Sequence, residues 1–134
     1  MARALFLCDM KRILIIEDEK PLARALELKL THVGFETKNA ANGEEGLALL
    51  KQESFDLVLT DLMMPKVDGF AVLTALRERG NTTPVIVLTN LSQVEDEKRA
   101  RMLGAMGFFV KSDISVAEIV ERIRQVFEAS ETTL

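Results

Sequence analysis

Along the chain, short unbroken apolar runs alternate with stretches in which apolar residues recur three and four positions apart. The first run, Arg12-Ile-Leu-Ile-Ile16, is stopped by three acids; its length and β-branching predict a strand buried on both faces. Phe55–Thr60, Pro84–Leu88 and Phe108–Val110 share that character, and Pro84 stands at a first strand position, where a missing donor is tolerated. Phe35–Ala40 is more polar and reads as an edge strand. Between these runs the spacing is helical. Pro21 suits a first helical turn, Leu22, Leu26, Leu30 and Val33 share a face, and Gly34 is a natural stop. Asn42-Gly-Glu-Glu45 has the form of a capping box, opening a helix to about Gln52 with Leu47, Ala48 and Leu50 inward. Asp68 caps a helix to about Arg79 that turns Val72, Leu73 and Leu76 inward and ends at Gly80. Ser92-Gln-Val-Glu95 reads as a second capping box, heading a charged helix to Leu103 that Gly104 closes. Ser115-Val-Ala-Glu118 reads as a third, before a helix with Val116, Ile119, Val120, Ile123, Val126 and Phe127 on one face.

Strands and helices thus alternate five times, which predicts an α/β fold: a doubly wound, five-stranded parallel sheet with helices on both faces. A length of 134 residues supports one such core and not two. The expected division is a leader over 1–10, one domain over 11–130 and a tail over 131–134, with no second domain in this chain. The apolar core of the leader, Ala4–Cys8, is too short for a signal peptide and lacks a cleavage site; a start at Met10 fits as well.

Composition narrows the function classes. Twenty-one acids against 17 bases give a net charge of −4, the wrong sign for a nucleic-acid-binding domain, so no direct nucleic-acid partner is expected. The single cysteine, Cys8, precludes an internal disulfide. No apolar run approaches the roughly 18 residues of a membrane span, so no membrane partner and a cytoplasmic location are expected.

In a parallel sheet all strand C-termini lie on one edge, and ligands bind where the strand order reverses. Glu17 and Asp18 follow the first strand, Asp61 the third, Thr89 the fourth and Lys111 the fifth. With the first strand between the second and third, these residues meet in one cleft. Clustered carboxylates repel one another, and a hard divalent cation such as Mg²⁺ neutralises them. A metal and a lysine together suit the spreading charge of a phosphoryl group in flight, a threonine hydroxyl adds a donor, and a carboxylate can be the nucleophile. Asp61 is accordingly read as a nucleophile toward phosphorus.

Glu17-Asp18, Asp61 within Asp-x-x-Met-Pro-x-x-Asp-Gly, Thr89 and Lys111, in this order and spacing from about Lys11 to Glu128, resemble the receiver domain of two-component response regulators, here of the stand-alone, chemotaxis-regulator-like kind. The resemblance implies a flavodoxin-like sheet of order 2-1-3-4-5. It implies that Asp61 accepts a phosphoryl group from a sensor histidine kinase or a histidine phosphotransfer protein. Mg²⁺ would be held by Glu17, Asp18, Asp61 and the backbone carbonyl of Met63, and the phosphoryl oxygens by Thr89 and Lys111. Movement of Thr89 and Phe108 would then switch the surface of the fourth helix, fifth strand and fifth helix for a downstream protein target. No enzyme with a separate product is implied, only self-catalysed transfer to Asp61 and slow self-dephosphorylation.

Some residues depart from the family pattern. Ser112 stands where proline usually follows the lysine; a cis bond there would cost roughly 2.5–4 kcal/mol, so a trans bond is expected. Phe108 lacks a tyrosine hydroxyl, and Asn90 replaces a small residue and is expected to narrow access to Asp61. Met63 and Leu91 would overhang the phosphoryl group without orienting an attacking water. Gly104-Ala-Met-Gly107 lacks the acidic pair of receivers that dimerise through this face, so a monomer or weak homodimer is expected. Two alternatives stand beside this reading: a degenerate receiver that binds partners without phosphorylation, supported by Ser112, and a haloacid-dehalogenase-type phosphatase. In the latter the nucleophile follows the first strand and a second Asp lies two residues on, where this chain has Met63. His32 and the Met63-Met64 pair read as surface and filler residues.

Overall fold

The computed structural model describes residues 11–132, with side chains through 129; the expected leader and the end of the expected tail lie outside the described residues. The strands are β1 (Arg12–Ile16), β2 (Glu36–Ala40), β3 (Leu57–Thr60), β4 (Val85–Thr89) and β5 (Gly107–Val110). The helices are α1 (Lys20–His32), α2 (Gly43–Gln52), α3 (Gly69–Glu78), α4 (Val94–Met102) and α5 (Val116–Thr132), and a short 3₁₀ turn spans Lys111–Asp113. All strand pairs are parallel, in the order β2-β1-β3-β4-β5. This is the expected fold.

The apolar runs of β1, β3 and β4 are the central strands, and all residues of β3 and β4 are buried. Alternation along a strand divides them between two cores. Leu14, Ile16, Val58, Val85 and Val87 face Leu50 of α2, Val72, Leu73 and Leu76 of α3 and Ala100 of α4. Ile13, Ile15, Leu57, Leu59, Ile86 and Leu88 face Leu26 and Leu30 of α1 and Ile119, Val120, Ile123 and Phe127 of α5. β2, mostly exposed, and β5, half-buried, are the edges.

Three of the five helix starts, those of α2, α3 and α5, follow capping chemistry. Asn42 Oδ1 accepts from Glu45 N at 2.9 Å, and Asp68 Oδ1 accepts from Ala71 N at 2.8 Å. Ser115 and Glu118 make the full reciprocal pair: Ser115 Oγ accepts from Glu118 N at 3.1 Å, and Glu118 Oε1 accepts from Ser115 N at 2.9 Å. The expected Ser92–Glu95 box does not form. Gln93 is the cap of α4 and makes no side-chain capping bond; the Gln93 carbonyl accepts from Glu97 N, so the helix starts one residue late for that box. Ala48 is also exposed rather than inward, and Gly46 takes the buried position on α2. The last helix runs to Thr132, beyond the expected start of the tail.

Two close backbone approaches hold the connections. Arg77 Nη1 donates to Asn81 O at 2.8 Å and Nη2 to Gly104 O at 2.9 Å, tying the end of α3 to the end of α4. Gly104 has φ +105, the left-handed region that favours glycine, and a Cβ there would lie 2.3 Å from Arg77 Nε. After β3 the chain doubles back so that Gly69 N donates to Leu62 O at 3.0 Å. A Cβ on Gly69 would lie 2.2 Å from Asp61 O and 2.7 Å from Leu62 Cα. Both are backbone atoms that cannot swing aside. Gly69→Ala is expected to cost roughly 1–3 kcal/mol, the range for over-packing a tight site. Denaturant unfolding would show it as a lower midpoint at unchanged slope; an unaltered midpoint would contradict the close approach.

Candidate functional site

The C-terminal edge of the sheet gathers Glu17, Asp61, Thr89 and Lys111, each set there by the end of its strand. Glu17 N donates to Ala40 O and Asp61 N to Ile16 O, which extends the ladder one residue past β1 and β3 and fixes both backbones. Asp61 Oδ1 accepts from Leu62 N at 2.6 Å and Met63 N at 3.1 Å, and the Thr60 hydroxyl donates to Asp61 O at 2.9 Å. Asp61 and Glu17 are buried. Pro65 and Lys66 follow in a turn, with Lys66 at φ +70, a value uncommon for a side chain other than glycine or asparagine.

Lys111 reaches across from the end of β5. Its ammonium donates to Asp61 Oδ2 at 2.8 Å, Glu17 Oε2 at 3.0 Å and Glu19 Oε2 at 2.5 Å. The Lys111–Ser112 bond is trans, as expected, and the 3₁₀ turn at Lys111–Asp113 carries the chain onward. Burial pushes the Glu17 carboxyl up to about 7, against the hydrogen bonds from Glu19 N and Lys111. Lys111 is held well above the ordinary lysine range: burial opposes its charge, and hydrogen bonds to Asp61, Glu19 and Glu17 outweigh that. One ammonium therefore stands against three carboxylates.

Oxygens of Glu17, Glu19 and Asp61 all lie within 4.8 Å of one another. Hard oxygen donors in excess over positive charge fit a hard divalent cation, and the group is compatible with Mg²⁺ binding. Asp18, expected as a metal ligand, is exposed and stands outside this group, while Glu19 stands in it. Sequence reasoning passed over Glu19 as part of an acidic turn. The available signal was its spacing of two from Glu17.

The remaining candidates are placed as follows. Thr89 is fully buried, and its Oγ1 accepts from Leu91 N at 3.3 Å. Met63 and Leu91 line one open hollow with Leu62, Met64, Asp68 and Phe70. Met63 is exposed, and Asn90 is exposed next to Leu91. Phe108 is half-buried against the core under α2, α3 and α4, and pairs with Val87 across the sheet. His32 is exposed on α1.

Known proteins resemble this chain in sequence and fold. The chain is 43% identical over 116 residues to the probable transcriptional regulator ycf27 of Porphyridium aerugineum, covering 87% of this chain and 48% of that protein. It is 36% identical over 115 residues to the transcriptional regulatory protein PcoR of Escherichia coli, covering 86% of this chain and 50% of that one. The chain thus spans about half the length of these curated relatives. Among solved structures, the receiver domain of the Francisella response regulator 1452 superposes with a TM-score of 0.84 at 28% identity, over 90% of this chain and 98% of that one. The response regulator protein TrrA from Thermotoga maritima, solved in complex with Mg(2+)-BeF, superposes with a TM-score of 0.76 at 30% identity, over 87% of this chain and 98% of that one. The family model of the response regulator receiver domain matches residues 13–124, which takes in β1 from Ile13, the other four strands and each of the strand-end residues described above; the chain belongs to that family.

Proposed function

We propose that this receiver domain is switched by transfer of a phosphoryl group to Asp61 from a phosphohistidine on a sensor histidine kinase or histidine phosphotransfer protein. The observation that carries this reading is the buried Asp61 carboxylate, oriented by two backbone amides and facing the Lys111 ammonium at 2.8 Å. An Asp61 carboxylate oxygen forms the new bond to phosphorus, the phosphorus–nitrogen bond of the donor breaks, and the departing imidazole keeps that electron pair and takes up a proton. Lys111 offsets charge on the phosphoryl oxygens, and Thr89, at the neighbouring strand end, supplies a hydroxyl donor, its Oγ1 accepting from Leu91 N without engaging the hydroxyl proton.

Glu17 and Asp61 would hold Mg²⁺, joined by Asp18 from the exposed turn and by the Met63 carbonyl. When bound, the ion supplies positive charge to the carboxylates and to the phosphoryl oxygens. The TrrA complex with Mg(2+)-BeF supports this in a relative. The proposed output is a change in the surface of α4, β5 and α5, read by a downstream protein, with Thr89 and Phe108 as the moving parts. The domain is not an enzyme with a separate product, and it acts in the cytoplasm as a monomer or weak homodimer. No helix among the described residues is long and apolar enough to cross a membrane. Direct nucleic-acid contact is not part of the proposal for this acidic segment; the relatives named as transcriptional regulators are about twice its length.

A degenerate receiver is less well supported, because Ser112 leaves Lys111 in contact with Asp61. A haloacid-dehalogenase-type phosphatase fits poorly with a nucleophile after the third strand.

With Mg²⁺ and acetyl phosphate or beryllofluoride, intact-mass or fluorescence titration should show one adduct per chain, abolished by Asp61→Asn and by chelation of the metal. Retention of the adduct in Asp61→Asn would overturn the assignment, and continuous release of phosphate would point to the phosphatase. The phosphorylated form should persist for minutes or longer, because Met63 and Leu91 offer no side-chain hydrogen bond to an attacking water. Decay within seconds, followed after removal of the donor, would contradict that.

A further inference from the structure

Lys111 has three N–H donors, and all three are engaged by carboxylates: Glu17 at 3.0 Å, Glu19 at 2.5 Å and Asp61 at 2.8 Å. A phosphoryl group on Asp61 brings three oxygens, and they can gain more than the one donor that Asp61 itself gives up only if a second of these partners lets go. The three differ in what release would cost. Asp61 Oδ2, the oxygen not held by backbone amides, gives up its donor when it bonds phosphorus, whereas the Glu17 side chain is 3% exposed and a released oxygen there would be left in a largely dry site. The Glu19 side chain is 51% exposed and passes to water on release.

The local backbone shows that Glu19 is committed to this contact. Glu19 is the N-cap residue of α1, a position where an acidic side chain ordinarily accepts from the first-turn amides. Its side chain makes no such bond. It turns instead to a lysine 92 residues away, while Glu19 N donates to Glu17 Oε2 at 3.0 Å. One residue thus orients Glu17 through its backbone and Lys111 through its carboxylate.

We infer that Glu19 is a positioning residue that acts through Lys111, occupying in the resting domain a second donor that the phosphoryl oxygens take on phosphorylation, and leaving for solvent when they do. The inference rests on Asp61 being the phosphoacceptor. Glu19 therefore opposes phosphorylation and keeps Lys111 poised beside Asp61 until the phosphoryl group arrives.

The test compares Glu19→Ala and Glu19→Gln with Glu27→Gln, which removes a negative charge from the cleft beside Glu17 without touching Lys111. Two readouts are needed. The first is solvent exchange of the Lys111 ammonium protons by NMR, in protein free of metal and phosphodonor. The second is the half-saturating beryllofluoride concentration at fixed Mg²⁺. Loss of one charge-assisted contact of the exposed kind should speed exchange roughly two- to fivefold in Glu19→Ala and tighten beryllofluoride binding by a similar factor. Glu19→Gln, which keeps an acceptor and loses the charge, should fall between Glu19→Ala and wild type, and Glu27→Gln should match wild type. Unchanged exchange, weakened beryllofluoride binding in Glu19→Ala, or equal tightening in Glu27→Gln would overturn the inference. If wild-type protein takes up no beryllofluoride, the Asp61 assignment fails, while ammonium exchange still decides whether Glu19 holds Lys111.

Discussion

The ammonium of Lys111, shared among Asp61, Glu17 and Glu19, is the interaction on which the site depends. Two carboxylates buried side by side at the ends of adjacent strands are costly to desolvate and repel each other. Burial, with the Asp61 charge beside it, pushes Glu17 up to about 7 against the hydrogen bonds from Glu19 N and Lys111. Lys111 offsets part of this, and the group still carries an excess of negative charge. That excess is what a divalent cation and a phosphoryl group together would rearrange: the cation draws off carboxylate charge, and the lysine becomes available to new oxygens. Removing Lys111 would leave Asp61 and Glu17 with backbone donors but without that counter-charge, so the lysine matters to the resting fold as well as to the proposed chemistry.

The fold delivers these groups because each sits one step past the end of a buried strand. The ladder continues through Glu17 and Asp61, so their positions follow the sheet rather than a flexible loop. Gly69 lets the β3–α3 connection fold tightly against Asp61. The opposite side of the cleft is built differently. α4 buries only Ala100, its start lacks a side-chain cap, and its far end is tied through Gly104 to Arg77. Arg99 stacks over Phe70 with 4.0 Å between the guanidinium carbon and the ring centroid. A helix held mainly toward one end, beside Thr89 and Leu91, suits a segment of low local stability next to a switch.

Most of this was legible in the sequence, for identifiable reasons. β1, β3 and β4 are buried on both faces, which leaves continuous apolar runs, and the parallel order follows from the alternation of elements. The strand-end residues were legible because each stands directly after such a run. Errors arose where one residue of phase decides the outcome. Ser92 and Glu95 have the spacing of a capping box, yet α4 starts one residue later and the pair is out of register. Ala48 and Gly46 differ by two positions on α2, and only contact with Ile16 shows that the glycine faces the core. Glu19 was hidden by the same limitation: in an acidic run, spacing does not reveal which carboxylate turns toward a lysine distant in sequence.

The central claim is that Asp61, and no other acid of the cluster, carries the phosphoryl group. Borohydride reduction of the phosphorylated protein converts an aspartyl phosphate to homoserine, which peptide sequencing by mass spectrometry can locate. The account predicts homoserine at position 61 alone. A reduced acid at position 17, 18 or 19, or phosphate incorporated with no homoserine at position 61, would contradict it.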